Sequence, residues 1–201
     1  GLEIVVGALR AFCDEPETAT AAMTVLSWMM NAAGRENRPK VAELGGVELV
    51  MKAMRAHPDA AGVQREGCVT LGNLAWSNAD NKARIAAAGG VELVMEAMRA
   101  HAGAAGVQEY GCNVLGNLAC NDADNKAKIA AAGGVELVAE AMRTHAGAAG
   151  VQEWGCFAFY NLADHVKPAV VASGAPALCK AAMERFSENA KIQKHGREVL
   201  N

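Results

Sequence analysis

The chain has 201 residues, 52% hydrophobic and 20% charged, with a formal charge of −3; this supplies a sizeable core and gives no general attraction to a phosphate backbone, which argues against nucleic acid as the partner. No apolar run approaches the roughly 20 residues needed to cross a bilayer, and no basic stretch followed by an apolar one opens the chain as a secretory signal would. Six cysteines without paired short spacings read as scattered buried thiols, which suits a reducing intracellular compartment, the cytoplasm or else the nucleus.

The chain opens on "GLEIVVGAL" and then runs through "GRENRPKVAELGG", and both stretches are loose copies of patterns that recur nearer the middle of the chain. "GGVELVMKAMRAHPDAAGVQREGC" starts at Gly45 and returns in close copy at Gly89 and Gly133, 44 residues apart each time. A fixed period of this length marks a repeat architecture. The opening matches "GVELVMKAM", and "GRENRPKVAELGG" matches "NADNKARIAAAGG". After Ala163 about three residues are missing relative to the earlier copies, and "SGAPALCKAAM" begins a last, partial copy. The units are 1–45, 46–89, 90–133, 134–174 and the partial 175–201. One repeat cannot bury its apolar stripe alone, so the copies are expected to stack into a single elongated domain. Starting at a second helix and stopping inside a third, the chain is expected to be a fragment of a longer protein.

Each repeat reads as three helices. The first is short, as in "DNKARIAAAG", with Asp80 or Asp124 as its cap and a Gly-Gly pair as its left-handed stop. The second is "VELVMEAMRAH", with Val91, Val94, Met95 and Met98 at helical spacing and Glu92 near the positive end. The third is "GVQEYGCNVLGNLAC". No stretch sustains a period of two with β-branched residues, so the class is all-α.

A short helix, a Gly-bounded turn, a second helix and a longer third helix ending "LGNLA" (Leu71–Ala75 and Leu115–Ala119) or "FYNLA" (Phe159–Ala163) resemble armadillo repeats. The resemblance covers essentially the whole chain. It implies a right-handed superhelical solenoid of three-helix repeats; a HEAT-like α-solenoid, usually with two helices per repeat, is the alternative. It also implies a concave groove lined by third helices, in which an asparagine clamps the backbone of an extended partner. Asn73, Asn117 and Asn161 match that asparagine, while the first copy places Met29 there. Importin-like members carry a tryptophan four residues earlier; Val69, Asn113 and Phe157 stand there, so recognition of a basic import signal is not implied.

Helical geometry gives the same face independently. At 100° per residue, with the asparagine at zero, one side of the third helix carries Val63, Gly67, Cys68, Leu71 and Leu74, repeated as Val107, Gly111, Cys112, Leu115 and Leu118. The opposite side carries Glu66, Val69, Asn73 and Trp76, then Tyr110, Asn113, Asn117 and Asn121, then Trp154, Phe157, Tyr160, Asn161 and Asp164, with Trp28 in the first copy. All three tryptophans and both tyrosines thus fall on one surface of a chain only 4% aromatic. Asparagine offers a donor and an acceptor to an extended strand, and aromatic walls supply anchor pockets. The expected function is a non-enzymatic scaffold binding a protein or extended peptide; the alternative is a structural spacer or self-association module with an empty groove.

Other features that look like chemistry read as architecture. Cys68, Cys112 and Cys156 recur about 10 Å apart, too far to share a metal ion, and are core thiols. His57, His101 and His145 end second helices, where they can meet orphan carbonyls. Arg38, Lys40, Lys82, Arg84, Lys126 and Lys128 form a basic, solvated ridge on the first helices, and Cys120 lies on the groove face. No cofactor, metal or catalytic residue is expected, since no nucleophile, base and orienting group converge.

Overall fold

The computed structural model describes residues 1–32 and 36–201. Gly34 and Arg35, which open the first copy's match to "NADNKARIAAAGG", lie outside the described residues. Among the described residues there are thirteen helices and no strand. They fall into two compact units, Gly1–Ala100 and His101–Asn201.

The N-terminal unit contains α1 (Leu2–Ala11), α2 (Pro16–Ala32), α3 (Asn37–Glu43), α4 (Gly46–Ala56), α5 (Ala61–Ala75), α6 (Ala79–Ala87) and α7 (Gly90–Ala100). The C-terminal unit contains α8 (Ala105–Ala119), α9 (Ala123–Ala131), α10 (Gly134–Thr144), α11 (Ala149–Ala172), α12 (Ala175–Arg185) and α13 (Ala190–Leu200). Third helices pack on third helices within each unit, α2 on α5 and α8 on α11. The apolar side expected of the third helix is buried throughout, including Cys68, Cys112 and Cys156. Gly67 and Gly155 are bare because a Cβ at either would meet Met54 or Met142 of the second helix at 2.5 Å.

The Gly-Gly pairs stop the first helices for two separate reasons. Gly45, Gly89 and Gly133 hold φ of 84°, 79° and 80°, a region costly for residues with a Cβ. Their successors face the preceding helix closely: a Cβ on Gly134 would sit 2.9 Å from the Ile129 carbonyl oxygen. An arginine at the end of each of three second helices then closes the stop of the first helix that follows it in the chain. Arg10 donates to Leu44 O at 2.7 Å, Arg55 to Ala88 O at 2.8 Å and Arg143 to Ser173 O at 2.5 Å.

Three local expectations are corrected. The first helices are capped by Asn78 and Asp122, whose side chains accept from the amides of Asn81 and Asn125, so Asp80 and Asp124 lie in the first turn rather than at its cap. His57 and His145 do meet backbone carbonyls as expected, those of the preceding copy: Cys13 O at 3.0 Å and Ala102 O at 2.7 Å. The three missing residues after Ala163 fuse a third and a first helix into α11, kinked where Val166 takes φ −127° and ψ 35°. Pro168 is tolerated there because it falls in the first turn after the kink, where its absent N–H is not needed. Finally, the first copy is offset by one residue: Asn37 donates to Met29 O as Asn81 donates to Leu74 O. Met29 therefore matches Leu74, and Trp28, not Met29, stands at the position of Asn73.

Candidate functional site

In the N-terminal unit the face opposite the core is made by α2 and α5. Trp28, in the register of Asn73, is 69% exposed, and Trp76, the C-cap of α5, is 52% exposed. Val69, one turn before Asn73 on α5, is half-buried. Glu66 is buried rather than presented to solvent, and its carboxylate meets Arg65 at 2.5 Å. Arg38, expected in a solvated ridge, is buried, and its guanidinium lies 4.5 Å from the centre of the Trp76 ring, a cation–π contact that fixes the indole while leaving it open to solvent. Arg84 is likewise engaged, forked on Glu48 at 2.6 and 3.1 Å and donating to Ala42 O at 2.8 Å.

Asn73 differs from its two counterparts. Its residue is half-buried and its Nδ2 is closed off from water without a hydrogen-bond partner. A buried donor left unmade costs about 1–3 kcal/mol.

In the C-terminal unit the face is made by α8, α11 and the start of α13. Tyr110 is half-buried, and Asn113 and Asn117 are buried, with the Asn117 amide donating to Asn113 Oδ1 at 3.2 Å. Asn161 is also buried and donates back to Phe157 O at 2.9 Å. Phe157 packs against bare Gly116, where a Cβ would meet its ring at 2.6 Å, and meets Trp154 edge-on at 5.4 Å. Tyr160 remains exposed. Asn121, placed on the helix face by periodicity, instead lies beyond the end of α8 in the left-handed turn at φ 57°. Cys120 is half-buried at the C-cap of α8. Lys126 is buried and paired with Asp164 at 2.5 and 2.7 Å, so it too leaves the expected ridge.

His195 belongs to this cluster and was missed by the periodicity of the third-helix ending. Its ring lies 5.2 Å from Phe157 and 5.7 Å from Tyr160. Burial, then the nearby Lys194, lowers its pKa from the usual imidazole value. The signal was present as a Gln-x-x-Gly spacing, Gln64 to Gly67, Gln108 to Gly111, Gln152 to Gly155 and Gln193 to Gly196, with Glu66, Tyr110, Trp154 and His195 before the glycine. The glutamine side chain caps the second helix: Gln64 donates to Met54 O and His57 O, Gln152 to Met142 O and His145 O. Lys191 covers part of the cluster, 5.6 Å over the Trp154 ring and 2.8 Å from Glu153.

Among the described residues no three His, Cys, Asp or Glu side chains are grouped to hold a metal ion, and no helix is long and apolar enough to cross a membrane. Three-helix repeats stacked third helix on third helix define an armadillo-type repeat solenoid. Residues 42–201 match the family described as LRRK2 ARM repeat, and the chain belongs to that family. No curated protein sequence matches it. Of the solved structures, an engineered protein is similar with TM-score 0.79 and 24% identity over 100% of this chain and 47% of its own. A structure concerned with a phosphorylation switch controlling the interaction between cadherin and β-catenin gives 0.76 and 20%, over 99% of this chain and 36% of the other. A designed armadillo repeat protein in complex with the peptide (KR)4 gives 0.75 and 17%, over 99% and 80%. The chain spans about half the length of the first and about a third of the second. At these identities the likeness is one of fold.

Proposed function

We propose that the chain is a non-catalytic interaction scaffold that holds an extended segment of another protein against the third-helix faces. The observation that carries this reading is the aromatic placement: Trp28, Trp76 and Tyr160 are exposed, and Trp154 and Tyr110 half-exposed, on the third-helix side opposite the buried core. Packing alone gives no reason to keep large rings in water, whereas interface anchors are drawn from these residue types. The binding of (KR)4 by the designed relative and the cadherin interaction of β-catenin support peptide capture as a use of this fold. Five buried free thiols support residence in a reducing interior.

Affinity selection with a library of extended peptides tests the reading, with Trp76→Ala and Trp154→Ala as controls. Peptides enriched by the parent chain and lost by either variant, with helical circular dichroism unchanged, are the expected result. Enrichment indifferent to both substitutions sinks it. The second reading, a spacer or self-associating module, draws on the C-terminal unit, where Asn117 and Asn161 are already engaged and Lys191 covers Trp154. A concentration-dependent mass in sedimentation without peptide capture would favour it.

A further inference from the structure

A second surface, on the side of the second helices, is built differently in the two units. Each unit has a cavity between successive second helices, at the same place in the repeat. In the N-terminal unit Met54 and Pro58 line it on one side and Leu93, Glu96, Ala97 and Ala100 on the other, around about 190 Å³. In the C-terminal unit Met142 and Ala146, two periods further on, stand against Leu178, Ala181, Ala182 and Arg185 around about 400 Å³. Cavities that hold small molecules run from roughly 300 to 1,000 Å³, and of the two the C-terminal one reaches that range. Ala100 and Arg185 each end their helix, with Glu96 and Ala181 one turn before them. Alanine in place of glutamate opens the floor, and arginine in place of alanine puts a cation on the rim.

The side-chain donors around the larger cavity are spent, with one exception. Gln152 Nε2 donates to Met142 O and His145 O, at 2.9 and 3.1 Å. Arg143 donates to Ser173 O and meets Glu140 at 3.3 Å. Arg185 is exposed and makes no ion pair with any described residue; its guanidinium lies across bare Gly147, where a Cβ would sit 3.4 Å from it.

We propose that this cavity binds a free medium-chain fatty acid, its alkyl chain on Met142, Leu178, Ala181 and Ala182 and its carboxylate held by Arg185. A peptide laid there would leave its N–H and C=O groups without partners, whereas a hydrocarbon gains by leaving water and asks for no bond. The guanidinium fork matches a planar carboxylate. Glu184, exposed on the same rim, repels a second negative charge and so disfavours a phosphate ester. In the N-terminal cavity Glu96 takes the place of the alanine and Arg55 is already bonded to Ala88 O, so the acid finds neither room nor counter-charge. The site shares no residue with the third-helix faces and is independent of what those faces hold.

The test uses the whole chain carrying 13C-methyl methionine, with the Met54 and Met142 lines assigned through Met54→Leu and Met142→Leu. Octanoate, octanol and octylamine are titrated in turn, below the concentrations at which they form micelles. Octanoate is expected to shift the Met142 line, leave that of Met54 in place and bind more tightly than octanol, with octylamine the weakest. Arg185→Gln should weaken octanoate about fivefold, the worth of one exposed ion pair, and leave octanol unchanged. Ala181→Glu, which copies the N-terminal cavity, should abolish the Met142 shift. Both variants change exposed side chains, so their urea midpoints should match that of the parent; if either falls, the ranking of the three ligands on the parent chain decides. The proposal is overturned if octanoate moves no methionine line or moves Met54 as much as Met142. It is equally overturned if octanol binds as tightly as octanoate, or if Arg185→Gln or Ala181→Glu binds like the parent.

Discussion

Gly133 and Gly134 are adjacent and chemically identical, yet they are required for different reasons. The first needs its positive φ and the second needs space against the backbone of Ile129. Gly133→Ala should cost about 1 kcal/mol in strain. Gly134→Ala should cost more, about 2–3 kcal/mol, because the added methyl meets a carbonyl oxygen that cannot turn aside. Urea midpoints of the two variants check the order, and equal costs would show that close packing at Gly134 is relieved by movement of the helix. His195 carries a different prediction. Its folded pKa lies below the usual 6.5, first because burial disfavours the imidazolium and next because Lys194 repels it. A base with a lowered folded pKa binds fewer protons than it does when unfolded. Its contribution to stability is therefore complete above pH 6.5 and is lost as pH falls from there through the folded value. His195→Gln should flatten that part of the stability–pH curve, as measured by urea unfolding between pH 7.5 and 5. An unchanged slope would mean that the ring is solvated.

The connection between a third helix and the next first helix shows what three residues decide. In the second and third copies Ser77 and Asn121 take φ of 55° and 57°, and Asn78 and Asp122 then cap the following helix. The fourth copy lacks this loop, and α11 continues through the Val166 kink instead. Asparagine accepts the left-handed region more readily than serine. Ser77→Gly should therefore stabilise the chain by about 0.5 kcal/mol, the relief of strain less the added entropy of the unfolded glycine. Thermal or urea unfolding measures it, and a loss of stability would show that the Ser77 side chain holds the turn by a bond of its own. Much of this element-level pattern was legible in the sequence: the helix classes, their stops and their apolar sides all recur at the expected positions. The capping residues were misplaced by two because an acidic residue in the first turn and a true cap look alike in a linear pattern.

At the scale of the whole chain, every repeat buries one cysteine or more in its helix contacts. Cys13, Cys68, Cys112, Cys156 and Cys179 are buried, and Cys120 alone of the six is half-exposed. Burial pushes the Cys68 thiol up to about 12, and the adjoining Cys156 together with burial raises Cys179. Since the thiolate is the reactive form, a thiol reagent should label Cys120 quickly in the native protein and the other five only on unfolding. Mass spectrometry of the labelled chain reads this directly, and Cys120→Ser should abolish the fast phase. Rapid labelling of several positions would contradict the burial of the repeat cores.

The period, the three-helix repeat, the buried side of each third helix and the placement of the aromatic residues on the other side can all be read from the linear chain. These are properties of a helix taken alone, and a spacing of 3.6 residues reports them without knowledge of any neighbour. Which polar groups on those surfaces are already used depends on how the helices pack against one another. Arg38 reaches Trp76 and Lys126 reaches Asp164 across nearly forty residues of chain, which withdraws both from the ridge assigned to them. Asn117 and Asn161 are engaged while the Asn73 amide is not, although all three end the same motif. The first copy shows the limit most clearly. Nothing in the composition of α2 marks its one-residue offset, and the matching bonds of Asn37 and Asn81 are what bring Trp28 into line with Asn73. Partner choice depends on distances between helices far apart in sequence, and periodicity within one helix carries no record of them.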